Sequence, residues 1–199
     1  MRLPAEQRRR QLLGVATELF ADRGFHATSM EDIAEAAGVT KPVLYQHFPS
    51  KRALYRELLD DVDRLLTERL VEATASVATG RERVQAGFAA YFHFVTGNRA
   101  SFRLLFGASV RNDAEFAAVA EATIDRVAEL IAELIDIDAA SEHRRTLAHA
   151  MVGMAEATSR RVANDEGEED PDRLARWLAE MAWFGLRGVR ADEPVLDRS

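Results

Sequence analysis

The chain has 199 residues, 47% of them hydrophobic and 30% charged, with no cysteine and a formal net charge of -7. That composition supports a packed core and excludes wholesale disorder, and no apolar run approaches the ~20 residues of a membrane span. Lack of cysteine excludes disulfides, thiolate zinc sites, iron–sulfur clusters and cysteine nucleophiles. The charge is unevenly placed: residues 1 to 56 hold nine Lys/Arg against six Asp/Glu, and the rest 17 against 27. A mildly basic head therefore precedes an acidic body, an asymmetry that lets the head meet phosphate. The opening stretch MRLPAEQRRRQLLG lacks the apolar block and cleavage site of a secretory signal, so a cytoplasmic location is expected.

Apolar residues recur at helical spacing with no sustained alternation of period two, which predicts an all-α fold of about nine helices. Leu12, Val15, Ala16, Leu19 and Phe20 form the stripe of a first helix that stops at Gly24. In T-S-M-E, Thr28 is expected to cap a second helix and Glu31 to reach back as a capping box. Met30, Ile33, Ala34 and Ala37 make its apolar face, and Gly38 ends it. Thr40 then caps a third helix, about Lys41 to Phe48, with Pro42 in a first turn where a missing N–H does no harm. Beyond Pro49, Ser50 opens a long helix whose Leu54, Leu58, Val62, Leu65 and Leu66 run towards Gly80. Later helices are expected at about Arg81 to Thr96, Ala100 to Phe106, Asp113 to Ile135, Ser141 to Asn164 and Pro171 to Val189, before a frayed tail ADEPVLDRS.

Two short helices parted by Gly38 and Val39, after a longer one, have the proportions of a helix-turn-helix, whose second helix enters the DNA major groove. Here Leu44 and Phe48 face the core, leaving Lys41, Pro42, Val43, Tyr45, Gln46 and His47 to the outside. Lys41 can donate to guanine O6 or N7, while Pro42 and Val43 suit a thymine methyl. Tyr45 and His47 carry donors for phosphate oxygens, and Lys51 adds a point charge in the next helix. A merely solvated face is the alternative for any one of these residues, but it does not explain Pro42, Val43 and Tyr45 outside the core.

The segment GFHATSMEDIAEAAGVTKPVLYQHFPSKRALY, residues 24 to 55, closely resembles the DNA-binding domain of TetR-family (tetracycline-repressor-like) transcriptional regulators. The match runs through Thr28, Ile33, Ala34, Ala37-Gly38-Val39, Leu44-Tyr45, His47-Phe48 and Lys51. It implies that Thr28, Thr40, Tyr45, His47 and Lys51 touch phosphate, while Lys41, Pro42 and Val43 or Gln46 meet bases. Many members have glycine where Pro42 stands, which bears on operator sequence and not on fold. It also implies a helix-turn-helix domain, residues 1–52, joined by a long helix to an effector-binding and dimerisation domain, residues 53–199. Arg8, Arg9 and Arg10 could add backbone or minor-groove contacts or simply solubilise the N-terminal face.

Six of the ten phenylalanines, Phe88, Phe92, Phe94, Phe102, Phe106 and Phe116, lie within one stretch that also holds Tyr91. An aromatic core stripe is one reading. The other, which the resemblance favours, is a small-molecule pocket lined by Phe88, Tyr91, Phe92, Phe102, Phe106 and Phe116, with Met151 and Met154 as deformable walls. Its effector would be hydrophobic, and Glu156, Thr158, Arg103, His93 or His149 could orient it. The final helix is apolar nearly all round, with Trp177, Met181, Phe184 and Gly185 on one face and Leu174, Leu178, Ala182 and Leu186 on others. It is expected to bury two faces, and the resemblance implies a homodimer through a four-helix bundle; a monomer core is the alternative.

The acidic run from Asp165 to Asp172 reads as a solvated loop and an anionic helix start, with Asp170 as cap, and not as a metal site. No nucleophile with its base, phosphate loop or metal-spaced ligand set is present, so neither an enzyme nor a cofactor is expected. The expected function is a homodimeric repressor that an effector releases from a palindromic operator. A helical protein-interaction or ligand-carrier module would explain the last helix, but not the residues from Thr28 to Lys51.

Overall fold

The computed structural model describes residues 4–164 and 169–188, and every described regular element is a helix. Nine of these have seven residues or more: α1 (Ala5–Ala27), α2 (Met30–Ala36), α3 (Lys41–His47), α4 (Lys51–Ala75), α5 (Gly80–Gly97), α6 (Arg99–Phe106), α8 (Ala114–Leu134), α9 (Ser141–Asn164) and α10 (Pro171–Gly188). The tenth, α7 (Ala108–Arg111), is a single turn absent from the expected set. Expectations for Val189, for acidic residues 165–168 and for the tail from Ala191 lie outside the described residues. Among the described residues no helix is long and apolar enough to cross a membrane.

Packing groups the chain into two units. The first comprises the residues up to Leu65 together with Asn98–Glu121; the second comprises Leu66–Gly97 and the residues from Ala122 onward. Helices α4 and α8 each contribute one part to either unit. The expected division after residue 52 thus marks the end of a sequence motif, whereas the packing unit around that motif is larger.

In the first unit α1 buries Leu12, Ala16 and Phe20. Its path breaks at Gly24, whose φ of 82° and ψ of 165° lie in a region that essentially only glycine adopts. The break turns Phe25 inward, and Thr28 follows it into the core. The cap of α2 is therefore Ser29: its hydroxyl accepts from Asp32 N at 3.1 Å, and the Asp32 carboxylate accepts from Ser29 N at 2.7 Å. This corrects the expected Thr28–Glu31 box, because Thr28 is buried and donates to the Gly24 carbonyl at 2.9 Å. The Ser29 hydrogen bonds hold the Asp32 carboxyl below its usual range. The α2 helix closes through Gly38 at φ 65°, where Gly38 N donates to Glu35 O and Val39 N to Ala34 O.

An aromatic cluster fills the rest of this unit. The Tyr55 ring lies 5.0 Å from Phe20 and Phe25 and 4.5 Å from Phe116. Residues 98–121 are further tied in by Arg52, which donates to Asp113 at 2.7 Å and Glu115 at 2.6 Å. Gly107 ends α6 so tightly that a Cβ there would collide with the Arg103 carbonyl oxygen.

In the second unit α5 packs along α10 more extensively than any other pair of helices meets, and α9 packs against both. The inner stripe of α10 is Leu174, Ala175, Ala179, Ala182 and Leu186. The three alanines of this stripe let α5, which buries Phe88, Phe92, Phe94 and Val95, approach closely. As expected, Asp170 caps α10, accepting from Asp172 N at 3.0 Å.

Candidate nucleic-acid interface and effector pocket

Helix α3 is held by two core residues and two basic clamps. Leu44 and Phe48 are buried. Arg9 donates to the His47 carbonyl oxygen at 2.8 Å and to Glu57 at 2.7 Å, with its guanidinium 4.4 Å from the centre of the Phe48 ring. Lys51 donates to the carbonyls of Phe25 and Thr28 at 2.7 and 2.8 Å, tying the end of α1 to the start of α4. Burial beside Phe25 pushes its ammonium below the usual lysine range.

What α3 leaves outside is polar or amphipathic. Thr40, Lys41, Pro42, Tyr45 and Gln46 are exposed, while Val43 and His47 are half-buried. Thr40 is the N-cap residue, yet its hydroxyl makes no cap bond; its carbonyl accepts from Val43 N and Leu44 N instead. The hydroxyl therefore accepts from no backbone N–H of the first turn. Lys41 pairs with Glu31 across 2.8 Å, an exposed contact, and the hydrogen bond that it donates to Glu31 raises its pKa.

A cavity of about 250 Å³ lies wholly within the second unit, between the last turns of α4, the face of α5, the second half of α8 and the middle of α9. Its walls are mainly branched aliphatics, among them Val127, Leu130, Ile131 and Leu134 at helical spacing on α8. Phe88, Tyr91 and Met151 line it, as expected. Burial pushes the Tyr91 phenol well above its ordinary pKa, so it remains a neutral hydroxyl. The charged lining residues are Arg83 and Glu133.

On α10, Trp177 is 55% exposed, Met181 55% and Phe184 66%. They lie at helical spacing opposite the inner stripe, forming an apolar face that nothing among the described residues covers.

Family models match both parts of the chain: "Bacterial regulatory proteins, tetR family" over residues 12–58 and "Tetracyclin repressor-like, C-terminal domain" over residues 80–185. The HTH-type transcriptional activator FasR of Mycolicibacterium smegmatis is 36% identical over 191 residues, covering 94% of this chain and 87% of its own. The chain belongs to the TetR family. It is a DNA-binding transcriptional regulator and not an enzyme. A TetR-like transcriptional regulator from Rhodococcus sp. RHA1 superposes with a TM-score of 0.81 at 33% identity, covering 94% of this chain and all of that one. The transcriptional repressor KstR2 of Mycobacterium tuberculosis is 39% identical over 93 residues, 47% of this chain and 46% of its own.

Within this TetR-family chain several expected site residues fall elsewhere. Phe102, Phe106 and Phe116 belong to the first unit, where Phe116 is fully buried against Tyr55, and so they do not line the cavity. Phe92 is fully buried and Met154 half-buried, and neither is among the lining residues. Thr28, with its hydroxyl satisfied inside the core, has no side-chain donor for phosphate. His93 instead meets Asp172 at 2.8 Å, His149 meets Asp125 at 3.1 Å, and Glu156 pairs with Arg160. Arg83, Gly87 and the aliphatic stripe of α8 are among the lining residues that the sequence reading missed. The α8 stripe is legible as spacing of three and four, but the phenylalanine cluster is the louder signal.

Proposed function

We propose that this TetR-family regulator acts in the cytoplasm as a homodimer on a palindromic operator, with an apolar small molecule in the second-unit cavity setting its affinity for DNA. The observation that carries this reading is the separation of roles on α3, where Leu44 and Phe48 hold the helix while Thr40, Lys41, Pro42 and Tyr45 stay exposed. Lys41 then reads guanine, with Pro42, Val43 and Gln46 beside it against base edges, and Thr40, Tyr45 and His47 meet phosphate. Residues 1–52 form the DNA-reading module and the rest of the chain serves effector and partner. The uncovered face of Trp177, Met181, Phe184 and Gly185 is the seam with a second copy, which would set two α3 helices about 34–36 Å apart on successive major grooves.

The cavity is lined by α4 from Leu70 to Ala75, and the same helix begins at Lys51, beside the recognition motif. A ligand that prefers one setting of α4 shifts the dimer between two spacings, and DNA must weaken that ligand by the same factor. In this reading ligand lowers operator affinity and relieves repression. Among the relatives FasR is named an activator and KstR2 a repressor; where the operator lies relative to the promoter sets the sign.

Selection of bound sequences from random DNA by the full-length chain tests the reading. A palindromic consensus is expected, and Lys41→Ala should change base preference within each half-site. An enriched site without two-fold symmetry would remove the dimeric reading, and uniform weakening by Lys41→Ala would move Lys41 to the phosphate backbone.

A further inference from the structure

Arg83, Gly87 and Tyr91 are four residues apart along α5 and all line the cavity, so they form one stripe about 12 Å long. Along it burial rises, from the half-buried Arg83 to the buried Tyr91. At the outer end Val71, Ala75 and Glu133 are exposed; at the inner end Met151 and Ala155 are buried. Between them Gly87 leaves an open floor: a Cβ there would meet only Thr74 Cγ2, at 3.8 Å, an ordinary contact.

The guanidinium at the mouth is the anomaly. Among the described residues the Arg83 side chain has no hydrogen bond or ion pair, whereas the similarly half-buried Arg8, Arg9, Arg144 and Arg173 each donate to a protein oxygen. A half-buried cation against aliphatic walls loses hydration without compensation unless an anion joins it. Its planar fork of donors matches a carboxylate or phosphate. Glu133 does not neutralise it, being exposed to water and unpaired with it, and solvent screens its repulsion of a bound anion. Between Arg83 and the Tyr91 ring the walls are mostly aliphatic carbon, which suits an apolar body.

We infer that the ligand of this cavity is an anionic amphiphile, its single charged head held by Arg83 at the mouth and its apolar body running over Gly87 towards Tyr91. This deepens the effector reading and rests on it.

Calorimetric titration of the full-length chain with decanoate, decyl phosphate and decanol tests the inference. Both anions are expected to bind, with decanol weaker by about tenfold, the loss of one charge-assisted contact. Arg83→Gln should bring the anions to the level of the alcohol and leave the alcohol unchanged, while Arg83→Lys retains a preference for the anions. Gly87→Leu should abolish all three. Equal binding of alcohol and anions to the natural chain, or an anion preference that survives Arg83→Gln, overturns the inference, as does failure of every probe to bind. The two anions distinguish a carboxylate head from a phosphate ester. Probes that bind as expected without changing operator affinity would instead overturn the effector reading and leave the ligand class standing.

Discussion

The hydroxyl of Tyr55 on α4 donates to the carbonyl oxygen of Leu104 on α6 across 3.1 Å, inside a core where both residues are buried. Desolvation holds that phenol protonated far above its ordinary range, so it remains a donor. The bond fastens the helix that follows the recognition motif to a segment almost fifty positions later. Tyr55→Phe keeps the ring contacts with Phe25 and Phe116 and orphans the carbonyl, which should cost about 1 kcal/mol. Urea denaturation measures it, and an unchanged midpoint would mean that the hydroxyl contributes nothing.

Lys51 and Tyr45 should behave differently on DNA. Two of the three Lys51 donors already hold the carbonyls of Phe25 and Thr28, so Lys51→Met should lower the melting temperature while leaving the salt slope of operator binding nearly unchanged. Tyr45, 49% exposed on α3, should weaken binding to every sequence when changed to Ala. Operator affinity over a series of salt concentrations separates the two. A slope lowered by about one unit in Lys51→Met would restore this lysine as a phosphate contact.

Trp177, Met181 and Phe184 give the apolar face of α10 its area. Trp177→Asp places a charge on that face and should convert the proposed dimer to monomers in sedimentation velocity, with helical content retained. A dimer that persists would locate the seam elsewhere.

His149 gives the second unit a pH dependence. Its Nδ1 lies 3.0 Å from the Arg145 carbonyl and its Nε2 3.1 Å from Asp125. Both partners are acceptors, so both nitrogens donate only in the imidazolium. The backbone hydrogen bond to Arg145, then that to Asp125, raises its pKa above the ordinary 6.5. The folded state favours the proton, so this contribution is complete below about 6.5 and is lost as pH rises through the raised value. Melting temperatures from pH 5 to 9 should show a decline over that window that His149→Gln removes; an identical decline in both proteins would exonerate this histidine.

Helix spacing alone makes most of the fold readable in the sequence. Gly24, Gly38, Pro42 and Ser50 mark boundaries because each has a local backbone reason to stand there. The α2 cap was ambiguous because Thr28–Glu31 and Ser29–Asp32 satisfy the same spacing one residue apart. The φ of Gly24 decides between them, by turning Thr28 inward. Phe102, Phe106 and Phe116 could be recognised as buried from their spacing, yet which core buries them is a long-range matter that local pattern does not contain. For the cavity, Phe88, Tyr91 and Met151 were legible as large apolar residues on inward stripes. Gly87 was not, since its contribution is the absence of a side chain.

The Glu31–Lys41 pair carries a consequence for how a regulator of this design searches a chromosome. In the free protein Lys41, the cation proposed to meet bases, is already paired with its neighbour from α2. Where no guanine edge is in register Lys41 would meet phosphate, a modest gain against the carboxylate it would leave, and each phosphate contact forgone also forgoes its released counterions. A guanine edge in register gives it two acceptors at once. On the proposed role of Lys41, encounters with irrelevant sequence would thereby be shortened, and the protein would move on sooner to the next stretch of genome.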